Sequence, residues 1–272
     1  MDNSHHMSET NFHTVVAVSD PSTLPSWLAL ARAMSPANTH LELRALVTIP
    51  AGHSENVAGP TVRRWWQVLA DLQQLDRLGD VTANIIADHK PMTALQKELR
   101  IVGADLLLVQ WAGPFSNGPE SESDLFVQDF PFDVVLLARI DRDIQNLPSP
   151  VLLPLRGGPN LSIGLRAARA LAANAGITLL NVSDSQAHAS NLDPFLSREP
   201  NVTRTRSELG EPSAIVLQES PRHKAIVFGS GRAIAAVPPL LKSIFKQTTC
   251  PIALVRAGVA ELLTFQAPNA PV

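Results

Sequence analysis

The sequence predicts an α/β protein of two tandem doubly wound domains, each with a five-stranded parallel sheet of strand order 3-2-1-4-5. Three observations predict it. Within residues 151–182, an apolar run, a glycine-containing turn, an amphipathic helix and a second apolar run follow one another as in a βαβ unit. The same alternation of short apolar runs and helical spacing continues along the rest of the chain. The second half then repeats the order of the first, and 272 residues are enough for two domains with a core each.

The first half contains five predicted strands and four predicted helices. Short apolar runs place the strands at 14–18, 40–49, 80–86, 104–110 and 133–138. Apolar positions three or four residues apart place the helices at 24–34, 61–78, 91–102 and 124–130. Ser19, Asp20 and Pro21 form a turn with helix-capping residues after the first strand. Neighbouring helix positions point in different directions, so of Trp65 and Trp66 we expect one in the core and the other partly exposed, where it can contact a partner.

The second half repeats these elements in a shorter form. Its predicted strands are 151–155, 177–182, 202–206, 225–228 and 252–255. The helix after the first of them begins near Leu161 and is predicted to stop at Gly176, while 185–200 replaces the long second helix of the first half. The last strand of each half is an apolar sheet edge that needs cover, so we expect these two strands to pair and to join the halves as a pseudo-twofold pair.

The domain boundaries follow from this repeat. Residues 1–12 are polar and are interpreted as a disordered N-terminus with a remnant of an expression tag. The first domain is predicted at 13–141 and the second at 151–257, with a polar, proline-flanked linker at 142–150 and a C-terminal tail at 258–272.

Composition excludes several classes of function. A net charge of -3 with 17% charged residues provides no basic surface for nucleic acid or anionic lipid. The single cysteine, Cys250, rules out an intrachain disulfide and is interpreted as a buried small hydrophobe rather than a redox thiol. The histidines lack ligand spacing, so no metal is predicted, and no Ser/His/Asp grouping indicates an enzyme. No run approaches the ~18 apolar residues of a membrane span, and no signal peptide is visible, so we expect no membrane insertion by this chain.

Candidate ligand sites lie where the strand order reverses, at the carboxyl ends of strands 1 and 4 of each half. In the first half these are 19–22, with Asp20, and 111–118. In the second half they are 156–160 and 229–232, with the candidate residues Arg156, Gly157, Gly158, Gly229, Ser230 and Gly231. A Gly-x-Gly turn can bind phosphate at a helix N-terminus, but the same residues also suit a plain strand-to-helix turn.

The stretches VLLPLRGGPNLSIGLRAARAL (151–171), AIVFGSG (225–231) and KSIFKQTTCPIALVR (242–256) resemble the universal stress protein family, and the whole chain resembles a tandem pair of such domains. ATP-binding members of that family carry an acidic residue at the end of the first strand and Gly-x2-Gly-x9-Gly-[Ser/Thr] after the fourth. In this sequence Arg156 takes the acidic position of the second half, Arg232 replaces a glycine, and Pro238-Pro239 replaces the Gly-Ser step. In the first half Asp20 matches the acid, but the glycine spacing is missing. The resemblance therefore implies degenerate nucleotide sites and no cofactor.

The Gly-Gly-Pro-Asn turn at 157–160 and FPFDVVLLARI at 130–140 resemble stress-protein-like modules appended to membrane transporters. That resemblance implies a non-catalytic regulatory or dimerisation domain on the cytoplasmic side of the cell membrane. The transporter would be of the cation–chloride cotransporter or amino-acid permease type (APC superfamily). The partner of the domain would be the transmembrane domain of the same polypeptide, and two copies would form a homodimer. The native gene is then expected to continue upstream of Ser8 into apolar helices. The alternatives are a stand-alone cytoplasmic tandem stress protein that binds ATP or AMP and, third, a hydrolase acting through Asp20 or the Gly229 turn.

Overall fold

A computed structural model describes residues 12–75, 79–114, 130–140, 144–155, 159–183, 200–230 and 239–258. The first half of the chain forms strands β1 to β5: Phe12–Val18, Thr39–Thr48, Thr82–Asp88, Leu106–Gln110 and Asp133–Ala138. The second half forms strands β6 to β10: Val151–Leu155, Ile177–Ser183, Val202–Leu209, Ala225–Gly229 and Ile252–Arg256. Helices α1 to α6 of the described residues are Leu24–Met34, Gly59–Gln74, Pro91–Val102, Leu161–Ala172, Pro212–Glu219 and Pro239–Gln247.

All ten strands belong to one sheet of order β3-β2-β1-β4-β5-β10-β9-β6-β7-β8. The strands of each half pair in parallel and in the order 3-2-1-4-5. Strands β5 and β10 pair antiparallel and join the halves, which confirms the expected pairing of the two apolar edges. The structure is thus one continuous, mostly parallel sheet, and the division into two domains around 142–150 stays a prediction.

The register of the β5–β10 pair is that of a twofold arrangement. Residues 134–137 correspond by repeat to 252–255, so Leu136 corresponds to Leu254. These two residues face each other across the ladder. Two positions to either side of this pair, Val134 faces Arg256 and Ala138 faces Ile252. The repeat seen in the sequence therefore coincides with the symmetry of the strand pair.

Two apolar layers cover the two faces of the sheet. Side chains alternate across a strand, so Val16 and Leu108 pack on one face while Val15 and Leu107 pack on the other. Helices α1, α2 and α4 contribute to the first layer, and α3, α5 and α6 to the second. Because the strands are buried on both faces, their sequences are continuous apolar runs and do not alternate between apolar and polar residues.

Beyond the β5–β10 ladder, two arginines connect the halves. Arg166 on α4 donates to the carbonyl of Met34 at the end of α1 and lies 3.7 Å from the carboxylate of Asp133. Arg139 after β5 donates to the carbonyls of Phe245 and Thr248 at the end of α6. We call these contacts, together with the ring of Phe245, the seam.

The ring of Phe245 is the apolar part of the seam. The guanidinium of Arg139 lies 3.9 Å from its centroid, a cation–π contact, and the indole of Trp111 lies 5.6 Å away, centroid to centroid. A Cβ at Gly113 would overlap the ring of Phe245, so any side chain there would collide with the ring. Gly113 also has a φ of +102°, which favours glycine. The seam therefore fixes the end of the first half's β4 against a helix of the second half.

Most predicted elements agree with the structure, with four differences. The helix predicted at 61–78 spans Gly59–Gln74, with 76–78 outside the described residues, and the strand predicted at 80–86 spans Thr82–Asp88. The helix predicted to stop at Gly176 ends at Ala172, and Gly176 instead forms the turn before β7, with a φ of +84° and Thr203 where a Cβ would lie. The helix predicted at 124–130 and the segment 185–200 lie outside the described residues, apart from Phe130 and Pro200.

The fourth difference is α5, which the sequence analysis did not predict. Its eight residues carry three adjacent apolar positions, Ile215 to Leu217, so the helical spacing is weak. The Glu211 carboxylate accepts hydrogen bonds from the backbone N–H groups of Ser213 and Ala214, and Pro212 is at the first helical position. The signal that could have revealed this helix is its N-terminal cap.

Candidate functional site

The crevice of the first half is bridged by the side chain of Gln110. This residue ends β4, and its Oε1 accepts hydrogen bonds from the backbone N–H groups of Ser19 (2.9 Å) and Asp20 (3.1 Å) and from Ser19 Oγ (3.1 Å). Ser19 and Asp20 follow β1, so the carboxamide spans the two strand ends between which ligands of doubly wound sheets bind. The backbone donors of Ser19 and Asp20 are therefore already used by the protein.

Asp20 acts as a cap in this crevice. Its Oδ1 accepts from the backbone N–H of Ser22 at 2.9 Å and its Oδ2 from Ser22 Oγ at 2.8 Å. These bonds start the short 3-10 turn Pro21–Thr23 that leads into α1. The predicted capping role of this turn is confirmed, whereas a nucleoside contact by Asp20 stays a prediction.

The crevice of the second half contains a cavity of about 300 Å³. It lies at the carboxyl ends of β6 and β9 and extends to α4, α5 and α6. Its wall includes Leu153, Pro154, Leu155, Pro159, Asn160, Leu161, Gly164, Val182, Pro212, Val216, Phe228, Gly229, Ser230 and Leu240. Of the site residues predicted from the sequence, Gly229 and Ser230 line this cavity, while Arg156, Gly157, Gly158 and Gly231 lie outside the described residues.

Asn160 organises the second crevice. Its Nδ2 donates to the carbonyl of Ser230, and its Oδ1 accepts from the backbone N–H of Ala257 at 2.8 Å. The turn after the first strand is thereby tied to the ends of β9 and β10. A Cβ on Gly229 would lie 3.1 Å from the Cβ of Asn160, tighter than usual, so the absent side chain lets the turn approach β9.

The described wall of this cavity is mainly apolar and carries no charged side chain. Asn160 already uses both ends of its carboxamide. The backbone N–H of Ser230 donates to Val255, but its Oγ is buried and has no hydrogen-bond partner among the described residues. This wall suits an apolar molecule better than a phosphate group, whose charge needs several donors or cations.

Sequence reasoning located both crevices but did not single out Gln110 or the role of Asn160. Gln110 is the one amide at the end of an otherwise apolar run, 106–110, and a polar residue at that place is the signal that could have indicated it. Asn160 was part of the predicted turn 156–160, but its partners Ser230 and Ala257 are 70 and 97 residues away. Such pairings are invisible without the fold.

Three other residues singled out by the sequence have clear positions. Trp65 is fully buried and Trp66 is 54% exposed, as expected for neighbours on a helix. Cys250 packs against the second apolar layer, with its Sγ 2.9 Å from Thr248 Oγ1, and burial raises the pKa of its thiol. Cys250 is only half-buried, so its position meets the prediction of a buried small hydrophobe in part.

No helix within the described ranges combines the length and apolar character needed to cross a bilayer.

The chain's sequence matches no protein-family model and no curated protein. Its structure resembles the cytoplasmic domain of a prokaryotic cation chloride cotransporter, with a TM-score of 0.63 and 13% identity over 94% of this chain and 99% of that one. It also resembles a universal stress protein from Archaeoglobus fulgidus DSM 4304, with a TM-score of 0.60 and 14% identity over 90% of this chain and 96% of that one. The fold is that of the universal stress proteins. The predicted resemblance to both kinds of protein is thereby confirmed at the level of fold.

Proposed function

We propose that this chain is a non-catalytic regulatory domain of a membrane transporter of the cation–chloride cotransporter or permease type, placed on the cytoplasmic side of the membrane. The observation that carries the proposal is the likeness to the cytoplasmic domain of a prokaryotic cation chloride cotransporter, which extends over 94% of this chain and 99% of that one. A likeness over 94% of the chain includes residues of both halves.

The two crevices support a role without nucleotide chemistry. Gln110 occupies the backbone donors of Ser19 and Asp20 in the first crevice, and the described wall of the second carries no charged side chain. A domain of this kind works through surfaces that contact other protein domains. We further propose that the halves are two tandem domains of one design and that two copies pair as a homodimer in the transporter, with exposed Trp66 as a candidate contact.

The decisive experiment follows the native polypeptide in its own cells. An antibody raised against this chain should detect a band far above 29.3 kDa that sediments with the membrane fraction and resists extraction by high salt. A soluble band of about 29.3 kDa, with no heavier species, would overturn the proposal. A cytosolic marker protein on the same blot controls the fractionation.

The second candidate function is a stand-alone tandem stress protein that binds ATP or AMP. The likeness to the A. fulgidus stress protein favours it. A ligand that binds only the folded state raises the melting temperature, so a rise with millimolar ATP or AMP would support this candidate. An unchanged melting temperature would exclude it and leave the regulatory domain.

A further inference from the structure

We propose that the second crevice binds an uncharged, mainly apolar small molecule with a single hydrogen-bonding group. This inference does not rest on the proposed transporter role, since it follows from the cavity itself. Its new element is the class of ligand.

Volume and lining set the class of ligand. About 300 Å³ is at the lower end of the range of small-molecule sites and admits one fused ring system or a short alkyl chain. The described wall consists mainly of Leu, Val, Pro and Phe side chains, with Leu153, Val182, Val216 and Phe228 from four different elements. Burial of an apolar ligand against such a wall is favourable, and burial of a charged one is not.

The side chains of the described wall offer a ligand one uncommitted polar group. The carboxamide of Asn160 bonds the Ser230 carbonyl and the Ala257 N–H, so it is committed to the protein. Ser230 Oγ is buried and has no partner among the described residues. A buried hydroxyl without a partner is costly, and a ligand hydroxyl, carbonyl or amine that bonded it would remove that cost.

The corresponding place in the first half supplies a matched control. Val18 and Leu155 end the first strands of the two halves and pair with Ala45 and Asn181. The next residues on the second strands, Leu46 and Val182, therefore correspond, and both belong to the same apolar layer. Only Val182 lines the cavity of about 300 Å³.

The test uses N-phenyl-1-naphthylamine, an uncharged fluorophore with one N–H group that brightens in apolar surroundings. We expect saturable binding to the intact chain and, for Val182→Phe, a loss of affinity of about tenfold or more because the added ring fills the cavity. Leu46→Phe should change the affinity by less than about twofold, since it enlarges a side chain of the same apolar layer away from the cavity. Val216→Phe repeats the test from helix α5 if circular dichroism shows that Val182→Phe does not fold.

A competition experiment on the unmodified chain tests the class of ligand independently. We expect 1-octanol to displace the fluorophore, and octanoate at neutral pH to displace it about tenfold less well because the cavity would have to desolvate a carboxylate. Equal competition by octanoate, displacement by ATP at lower concentration than by 1-octanol, or absence of saturable binding would each overturn the proposal. Equal loss of affinity in Val182→Phe and Leu46→Phe would do so as well.

Discussion

The two crevices occupy corresponding places in one repeated fold, yet one is bridged by a side chain and the other contains a cavity. In the first half, an amide at the end of strand 4 reaches back to strand 1: Gln110 bonds the turn at Ser19 and Asp20. In the second half the amide is on the turn after strand 1, and Asn160 reaches across to Ser230 and Ala257. Each amide connects the ends of strands 1 and 4 of its half, Gln110 from strand 4 and Asn160 from the turn after strand 1.

The difference shows that the fold fixes where a crevice lies, while one side chain decides what it can hold. Gln110 accepts hydrogen bonds from the backbone donors of Ser19 and Asp20. Asn160 instead holds the outer turn and leaves the space between β6, β7 and β9 to apolar side chains. A shared fold therefore does not imply a shared site, even within one chain.

The largest expected effect comes from breaking the seam that both halves share. Phe245→Ala should lower the free energy of unfolding by about 3 to 5 kcal/mol, because it removes a buried ring that packs on Trp111 and Arg139. All four tryptophans lie in the first half, so their fluorescence reports on that half, and Trp111 also reports on its contact with Phe245. Urea unfolding followed by tryptophan fluorescence and by far-ultraviolet circular dichroism should shift together.

Trp66→Ala is the control for that experiment, since it removes an aromatic ring that is 54% exposed. It should cost less than about 1 kcal/mol. A Phe245→Ala variant in which the fluorescence transition stays in place would show that the halves unfold independently and that the seam does not couple them.

A smaller effect compares the two bridging amides directly. Asn160→Ala should destabilise the protein by about 2 to 3 kcal/mol, because it leaves a carbonyl of buried Ser230 and the N–H of buried Ala257 without their partner. Chemical denaturation monitored by circular dichroism measures this loss.

Gln110→Ala is the matched substitution in the first half and should cost only about 1 kcal/mol. Its partners at Ser19 and Asp20 are half-buried, so water can replace the lost carboxamide. Equal losses for the two variants would contradict the view that the second bridge is the more deeply buried one.

The smallest expected effect is a pH dependence confined to the second half. His223 precedes β9, and its buried imidazole has a pKa lowered from the ordinary 6.5, chiefly by desolvation. The unfolded chain therefore takes up a proton at higher pH than the folded one, so stability is complete above about pH 6.5 and falls as the pH drops below it. Ala104 takes the corresponding place before β4 and cannot titrate.

Melting temperatures between pH 7.5 and pH 5 should fall less steeply in His223→Gln than in the unmodified chain. The carboxylate of Glu219 and the guanidinium groups of Arg204 and Arg222 also act on this imidazole, and they are unchanged in the variant. Identical slopes for the two proteins would show that other groups cause the pH dependence.

Much of the architecture was predictable because it rests on local patterns. Runs such as 133–138 and 151–155 are apolar on both faces, and their predicted bounds agree with β5 and β6. Helices 24–34 and 91–102 agree with α1 and α3 for the same reason. Helix α5 was missed because its three apolar residues are adjacent and its identity depends on a cap by Glu211.

The sequence by itself determined the α/β class, the repeat, the strand order and the place of both crevices, because apolar periodicity and the topology of parallel sheets depend on residues close along the chain. Only the tertiary structure decided that a seam around Phe245 accompanies the predicted pairing of the last strands, and that one crevice is bridged while the other holds a cavity. Those outcomes depend on hydrogen bonds between residues 70 to 132 positions apart and on a ring contact between Trp111 and Phe245, which lie in different halves. Such contacts are set by how the elements pack, and no local pattern in the sequence encodes them.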